Sequence, residues 1–240
     1  WLACFLALTA FPMIYISSQA LSEPIFICFV LLALIMLGDF FTTGESSRLY
    51  GAALLIGISC LVRYVGLAFL ATGGFAILVF SKTSWTARLR DAAKFGILGS
   101  FPFAIWVTRN LFSAGNAVNR TFSFHPPGLN DLLPAIDTAG YWLLPISMVE
   151  NIPWLSRTVV ALVLFSIIWG LARKSYLGNP YVQLLAFWIA GYGSFLLVSM
   201  SLNDQPLYFD TRTLALPYMT VMLLAVSFIY EWQQKKAALP

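Results

Sequence analysis

Charge is what this chain has least of. Of its 240 residues only 10% are Asp, Glu, Lys or Arg, whereas 60% are hydrophobic. A soluble domain carries roughly 25% charged residues, so the composition excludes one and points to an integral membrane protein. The mean hydropathy of +0.81 agrees. Histidine is scarcer still, with His125 standing alone in a loop before two prolines. No Cys, His and carboxylate residues fall at metal-ligand spacing. The three cysteines, Cys4, Cys28 and Cys60, lie inside apolar runs. They are expected to pack as small buried hydrophobes, and they imply neither a disulfide nor a metal site. Internal repeats, low-complexity stretches and a soluble domain are also missing. A net charge of +4 would suggest nucleic acid in a soluble protein. Here a bias of basic residues toward one side of a membrane accounts for it, and no nucleic-acid partner is expected.

A basic leader with a small-residue cleavage site is absent too, so the first residues are not a signal peptide. The chain starts at Trp1 in the middle of an apolar run, which reads as a fragment lacking its first part.

What the chain does have is apolar length. Crossing roughly 30 Å of hydrocarbon takes about 20 helical residues, somewhat fewer at thin sites. Apolar segments run roughly over 1–18, 24–38, 49–63, 66–81, 94–108, 155–172, 181–200 and 213–231. They predict an all-α polytopic membrane protein of about eight spans, a single domain over 1–240 with a long loop at about 109–154. Aromatic residues make up 16% of the chain, with Trp and Tyr often near segment ends, as interfacial anchoring requires. Residues 49–81 are too long for one span, with Arg63 near the centre, so a turn is expected at Arg63-Tyr64-Val65-Gly66.

With eight spans the basic residues sort unevenly. One side receives Arg48, Lys82, Arg88, Arg90, Lys94, Arg173, Lys174, Lys235 and Lys236, including every lysine. The other receives Arg63, Arg109, Arg120, Arg157 and Arg212. The positive-inside rule makes the first side cytoplasmic and places both ends of the chain there. The outer face then carries Glu23, Arg63, the long loop with Asp131, Asp137 and Glu150, and a short loop from about 201 to 212. Residues 141–145, Tyr-Trp-Leu-Leu-Pro, are expected to form an interfacial helix on the bilayer.

Charges beside lipid are expensive and are kept mainly where they bind something. Four constellations on the outer face qualify. Ser22-Glu23-Pro24 opens a span, with Pro suited to the first helical turn and the carboxylate near the positive end of the helix dipole. It serves either to orient a polar substrate or a metal, or simply as a cap. Arg63-Tyr64 places a permanent cation beside an amphipathic ring, suited to a phosphate at headgroup depth or to snorkelling toward lipid. Arg109-Asn110 opens the long loop, with Arg120 further along inside an Asn119-Arg120-Thr121 sequon. Asp210-Thr211-Arg212 precedes the last apolar segment. There Asp210 and Arg212 pair with each other only, or Asp210 orients Arg212 toward a phosphate.

In this order the four constellations resemble the membrane-embedded glycosyltransferases of the GT-C superfamily, in the family 39-like branch related to protein O-mannosyltransferases and aminoarabinose transferases. The resemblance spans nearly the whole chain, although each motif alone is short. It implies a GT-C-like fold with an outer-leaflet cavity and a re-ordering loop as its lid. It implies transfer of a sugar from a polyprenyl-phosphate carrier to a lipid, glycan or protein acceptor on the extracytoplasmic face, with inversion at the anomeric carbon. By position, Arg63 and Arg212 would hold the carrier phosphate, with Tyr64 and Asp210 beside them and Arg109 and Arg120 as secondary cations. Glu23 matches the family's second acidic position. The main acidic pair of the family lies in a first outer loop that precedes Trp1, so this 240-residue piece alone is expected to be inactive. No cofactor is required by the resemblance, though it leaves room for a divalent metal. The expected location is the plasma (inner) membrane, among its lipids. The alternative is a multi-pass transporter or flippase of a lipid-linked or anionic solute, which would use outer-face arginines equally well. A transporter, however, buries polar groups near the midplane, and the spans here are nearly free of ionisable residues at their centres.

Overall fold

A computed structural model describes residues 4–5, 9–19, 22–115, 123–172, 178–202 and 209–237. Every regular element among them is α-helical: α1 (Phe11–Ser18), α2 (Glu23–Thr43), α3 (Ser46–Val62), α4 (Gly66–Phe80), α5 (Trp85–Ala114), α6 (Leu129–Gly140), α7 (Ile146–Asn151), α8 (Pro153–Ala172), α9 (Pro180–Leu202) and α10 (Ala215–Ala237). Three of them, α2, α8 and α9, are long and apolar enough to cross a membrane. Three shorter apolar stretches accompany them: α3, α4 and Ala215–Tyr230 of α10. By rise alone α3 and α4 reach only about 22–25 Å, which is why length and hydropathy together do not single them out. Along α8 the side chains of Leu162, Phe165, Ile168 and Trp169 are largely uncovered. A run of bare apolar side chains on an apolar helix suits hydrocarbon and would be an aggregation liability in water.

The chain divides into two compact units, one of residues 24–125 with 187–206 and the other of residues 1–23, 126–186 and 207–240.

In the first unit α3, α4 and α5 pack on one another. The expected turn between α3 and α4 is present. Arg63 adopts extended backbone (φ −149°, ψ 134°) and ends α3, and the Gly66 N–H donates to the Arg63 carbonyl at 2.9 Å as α4 begins. A Cβ on Gly66 would lie 2.7 Å from the Cys60 backbone nitrogen, so only glycine lets the two helices start this close. Deeper in, a Cβ on Gly57 of α3 would lie 2.7 Å from the Gly99 carbonyl oxygen of α5. Small residues that allow backbones to touch are how helices associate where hydrocarbon removes the hydrophobic drive. Arg88 donates to the Leu78 and Thr83 carbonyls, both at 3.0 Å, and so serves the C-terminal end of α4.

Several expectations need correction. The span drawn at 94–108 is the middle of a 30-residue helix, α5, capped by Ser84 at its start and by Gly115 (φ 72°) at its end. The charged segment before it is therefore mostly helix, and Arg109 sits within α5 rather than at its end. The loop expected from 109 to 154 contains α6 and α7. The interfacial helix expected at 141–145 is instead a run of turns. Pro145 disfavours helical backbone at the residue before it, and helix forms on either side. That flanking region does expose Leu133, Ile136, Leu143, Ile146 and Met148, the apolar surface of an interfacial segment. Finally, only Cys60 of the three cysteines is buried; Cys4 and Cys28 are exposed, and all three are free thiols.

Candidate functional site

In the second unit two motif residues 189 positions apart meet. Glu23, the first residue of α2, accepts a hydrogen bond at Oε1 from Nε of Arg212 at 2.9 Å. The two ends of this pair are unequal: the Glu23 side chain is 3% exposed and that of Arg212 is 45% exposed. A carboxylate out of water needs a partner, and the guanidinium supplies one through Nε. Its Nη1 and Nη2 have no hydrogen-bond partner among the described residues. A fork of N–H donors, fixed at its base and open at its tip, matches phosphate or carboxylate oxygens.

The segment that carries Arg212 is itself well tied. Asp210 does not pair with Arg212, as one expectation had it. Its Oδ1 accepts the Thr213 N–H at 2.8 Å, and its carbonyl accepts the Leu214 N–H at 3.0 Å. Residues two apart on a turn or helix point in different directions, so Asp210 closes the turn and Arg212 is free to reach Glu23. On the other flank, the buried Thr138 hydroxyl of α6 donates to the Phe209 carbonyl at 2.6 Å. The Trp142 and Tyr218 rings meet edge to face, 5.3 Å between centroids.

α6 is in turn fastened to α8. Arg157 grips Asp137 with two bonds, Nε to Oδ1 at 2.8 Å and Nη2 to Oδ2 at 3.0 Å. Those hydrogen bonds first, and then the Arg157 charge, hold the Asp137 carboxyl below the ordinary aspartate range. At its start, α6 is capped by Asp131, whose Oδ2 accepts the Gly128 N–H at 2.8 Å. Neither Thr138 nor the Asp137–Arg157 pair stands out in the sequence. A loop carboxylate and an arginine 20 residues further on, at the start of an apolar segment, carry no spacing signal.

The remaining candidates belong to the other unit. Arg63 is half-buried at the α3–α4 turn and Tyr64 is exposed. The Tyr64 ring lies 5.4 Å from Trp106 and 6.0 Å from Phe103, both on α5. Arg109 follows Trp106 by three residues on the same helix face and is exposed. The structure thus brings Tyr64, next to Arg63 in the chain, against Phe103 and Trp106 of α5, with Arg109 one turn beyond Trp106. Trp106 and Phe103 are additions that the motif reading did not make. Arg120 lies outside the described residues. His125 donates its backbone N–H to the Ser201 carbonyl at 2.9 Å, at the C-terminal end of α9. Among the described residues no three His, Cys, Asp or Glu converge as a metal site would require.

What fold and site define is a class: an α-helical protein, with helices long and apolar enough to cross a membrane, in which a buried carboxylate holds a half-exposed arginine. Comparison with protein-family models, with curated proteins and with solved structures finds no match.

Proposed function

We propose that this protein is a membrane glycosyltransferase that moves a sugar from a polyprenyl-phosphate carrier to an acceptor hydroxyl at the extracytoplasmic face of the plasma (inner) membrane. The reading includes eight traverses, with both ends of the chain on the cytoplasmic side. The observation that carries it is the buried Glu23 carboxylate holding Nε of Arg212 while the Nη groups stay open. In the reaction the acceptor oxygen attacks the anomeric carbon and the bond from that carbon to the carrier phosphate breaks. The phosphate leaves with the electron pair, and the configuration inverts. A carboxylate takes the proton of the acceptor hydroxyl as general base.

Arg212 stabilises the charge that develops on the departing phosphate. Arg63, with Tyr64 beside it, is the second cation for the carrier, and Arg109 and Arg120 are secondary contacts. Glu23 acts through Arg212: a carboxylate already engaged by a guanidinium orients that guanidinium better than it abstracts a proton. The general base is then a carboxylate other than Glu23.

The test is transfer by the full-length protein in liposomes that contain a polyprenyl-phosphate-linked sugar. Wild type should transfer with inversion, and Arg212→Ala should lower kcat by about a hundredfold, the scale of losing one preorganised donor to a developing charge. Equal transfer by Arg212→Ala removes the site. Movement of the lipid-linked sugar across the bilayer without transfer makes the protein a flippase instead.

A further inference from the structure

The Arg212 turn is anchored at both ends, and one of those anchors comes from the long outer loop. At the α10 end, Asp210 binds the Thr213 and Leu214 amides at 2.8 and 3.0 Å. At the other end Phe209 is buried, and its carbonyl accepts the Thr138 hydroxyl at 2.6 Å. Thr138 is itself buried, on the side of α6 that also carries Leu132 and Ala135. That helix cannot slide freely. The bidentate Asp137–Arg157 pair fixes it to the start of α8, and Gly140 at its end packs so closely on the Ser156 hydroxyl that a Cβ has no room. A continuous series of contacts therefore runs from α8 through α6 to Phe209 and on to Arg212 and Glu23.

We propose that Thr138 is a positioning residue for Arg212: through the Phe209 carbonyl, α6 sets the direction in which the open guanidinium fork points. This rests on the reading of Arg212 as the phosphate-binding group. The outer loop then belongs to the phosphate site as a structural arm. Any acceptor or carrier that shifts α6 shifts Arg212 with it.

Two substitutions in the full-length protein test this. Thr138→Val keeps the volume and removes the hydroxyl, whereas Thr138→Ser keeps the hydroxyl. Both would be compared with wild type in lipid nanodiscs by amide hydrogen exchange and by equilibrium binding of farnesyl phosphate, with farnesol as the uncharged control. Thr138→Val should speed exchange at residues 211–214 by up to about tenfold, the worth of one buried hydrogen bond, and leave residues 158–170 of α8 unchanged. It should weaken farnesyl phosphate by a similar factor and leave farnesol alone, and Thr138→Ser should restore both. Unchanged exchange at 211–214 overturns the proposal. So does exchange that quickens equally in α6, α8 and 211–214, because that marks a structural residue only. Wild type that binds farnesyl phosphate no better than farnesol defeats the phosphate reading instead, and the exchange pattern still decides the part played by Thr138.

Discussion

Breaking the Glu23–Arg212 pair from its two ends should have unequal costs. Two unit charges about 4 Å apart attract by about 4 kcal/mol at an effective dielectric of 20 and by about 1 kcal/mol in water. With one side chain 3% exposed and the other 45% exposed, this pair falls between those limits. Screening on the arginine side reduces the estimate to about 1–3 kcal/mol. Arg212→Gln takes the guanidinium away from a buried carboxylate, the costly direction. Glu23→Gln leaves a half-exposed arginine that water can solvate, and the amide can still accept from Nε. The expected order of destabilisation is therefore Arg212→Gln above Glu23→Gln. The double variant should be less destabilised than the sum of the two, with a coupling of about 1–3 kcal/mol. Reversible unfolding by SDS titration of the reconstituted protein measures all four species. Additivity within about 0.5 kcal/mol, the behaviour of independent sites, would refute the pairing, as would a larger cost for Glu23→Gln than for Arg212→Gln.

Three further outcomes follow from the packing. Gly57→Leu places a Cβ 2.7 Å from the Gly99 carbonyl oxygen and should destabilise by about 1–3 kcal/mol or abolish folding; Ala53→Ser, a smaller change on the same helix, should be much milder in the same titration. The lowered Asp137 value means that the Asp137–Arg157 pair stabilises above the unfolded aspartate pKa and fades as pH falls through the folded value. Exchange protection of α6 should accordingly persist in acid below the ordinary aspartate range, and Arg157→Gln should remove that pH dependence. Arg88→Gln frees the Leu78 and Thr83 carbonyls and should raise exchange in the last turn of α4 without affecting α8.

The break at Arg63–Gly66 was legible because a charge and a glycine interrupt a run too long for a bilayer. The start of α5 was not read, since hydropathy reports what lipid tolerates and charged residues 88–94 helped to hide a helix. The Ser84 cap was the available sign. At 141–145 the apolar aromatic run suggested a helix, while Pro145 already argued against one. The site divided in the same way. Glu23 and Arg212 were each identifiable as charges at the ends of apolar segments, but their pairing was not, because no local rule connects residues so far apart. Assigning Arg212 to its neighbour Asp210 followed sequence distance, whereas the turn geometry gives Asp210 to Thr213. Thr138 and Arg157 were invisible as partners for the same reason: both act across elements.

The most direct test of the central claim is equilibrium binding of a polyprenyl phosphate and of the corresponding polyprenol to the full-length protein in nanodiscs, for wild type and for Arg212→Gln. The account predicts that wild type prefers the phosphate at least about tenfold, the worth of one charge-assisted contact, and that Arg212→Gln loses most of that preference while binding the alcohol as before. Equal affinity of wild type for phosphate and alcohol, or a preference that survives Arg212→Gln intact, would contradict it.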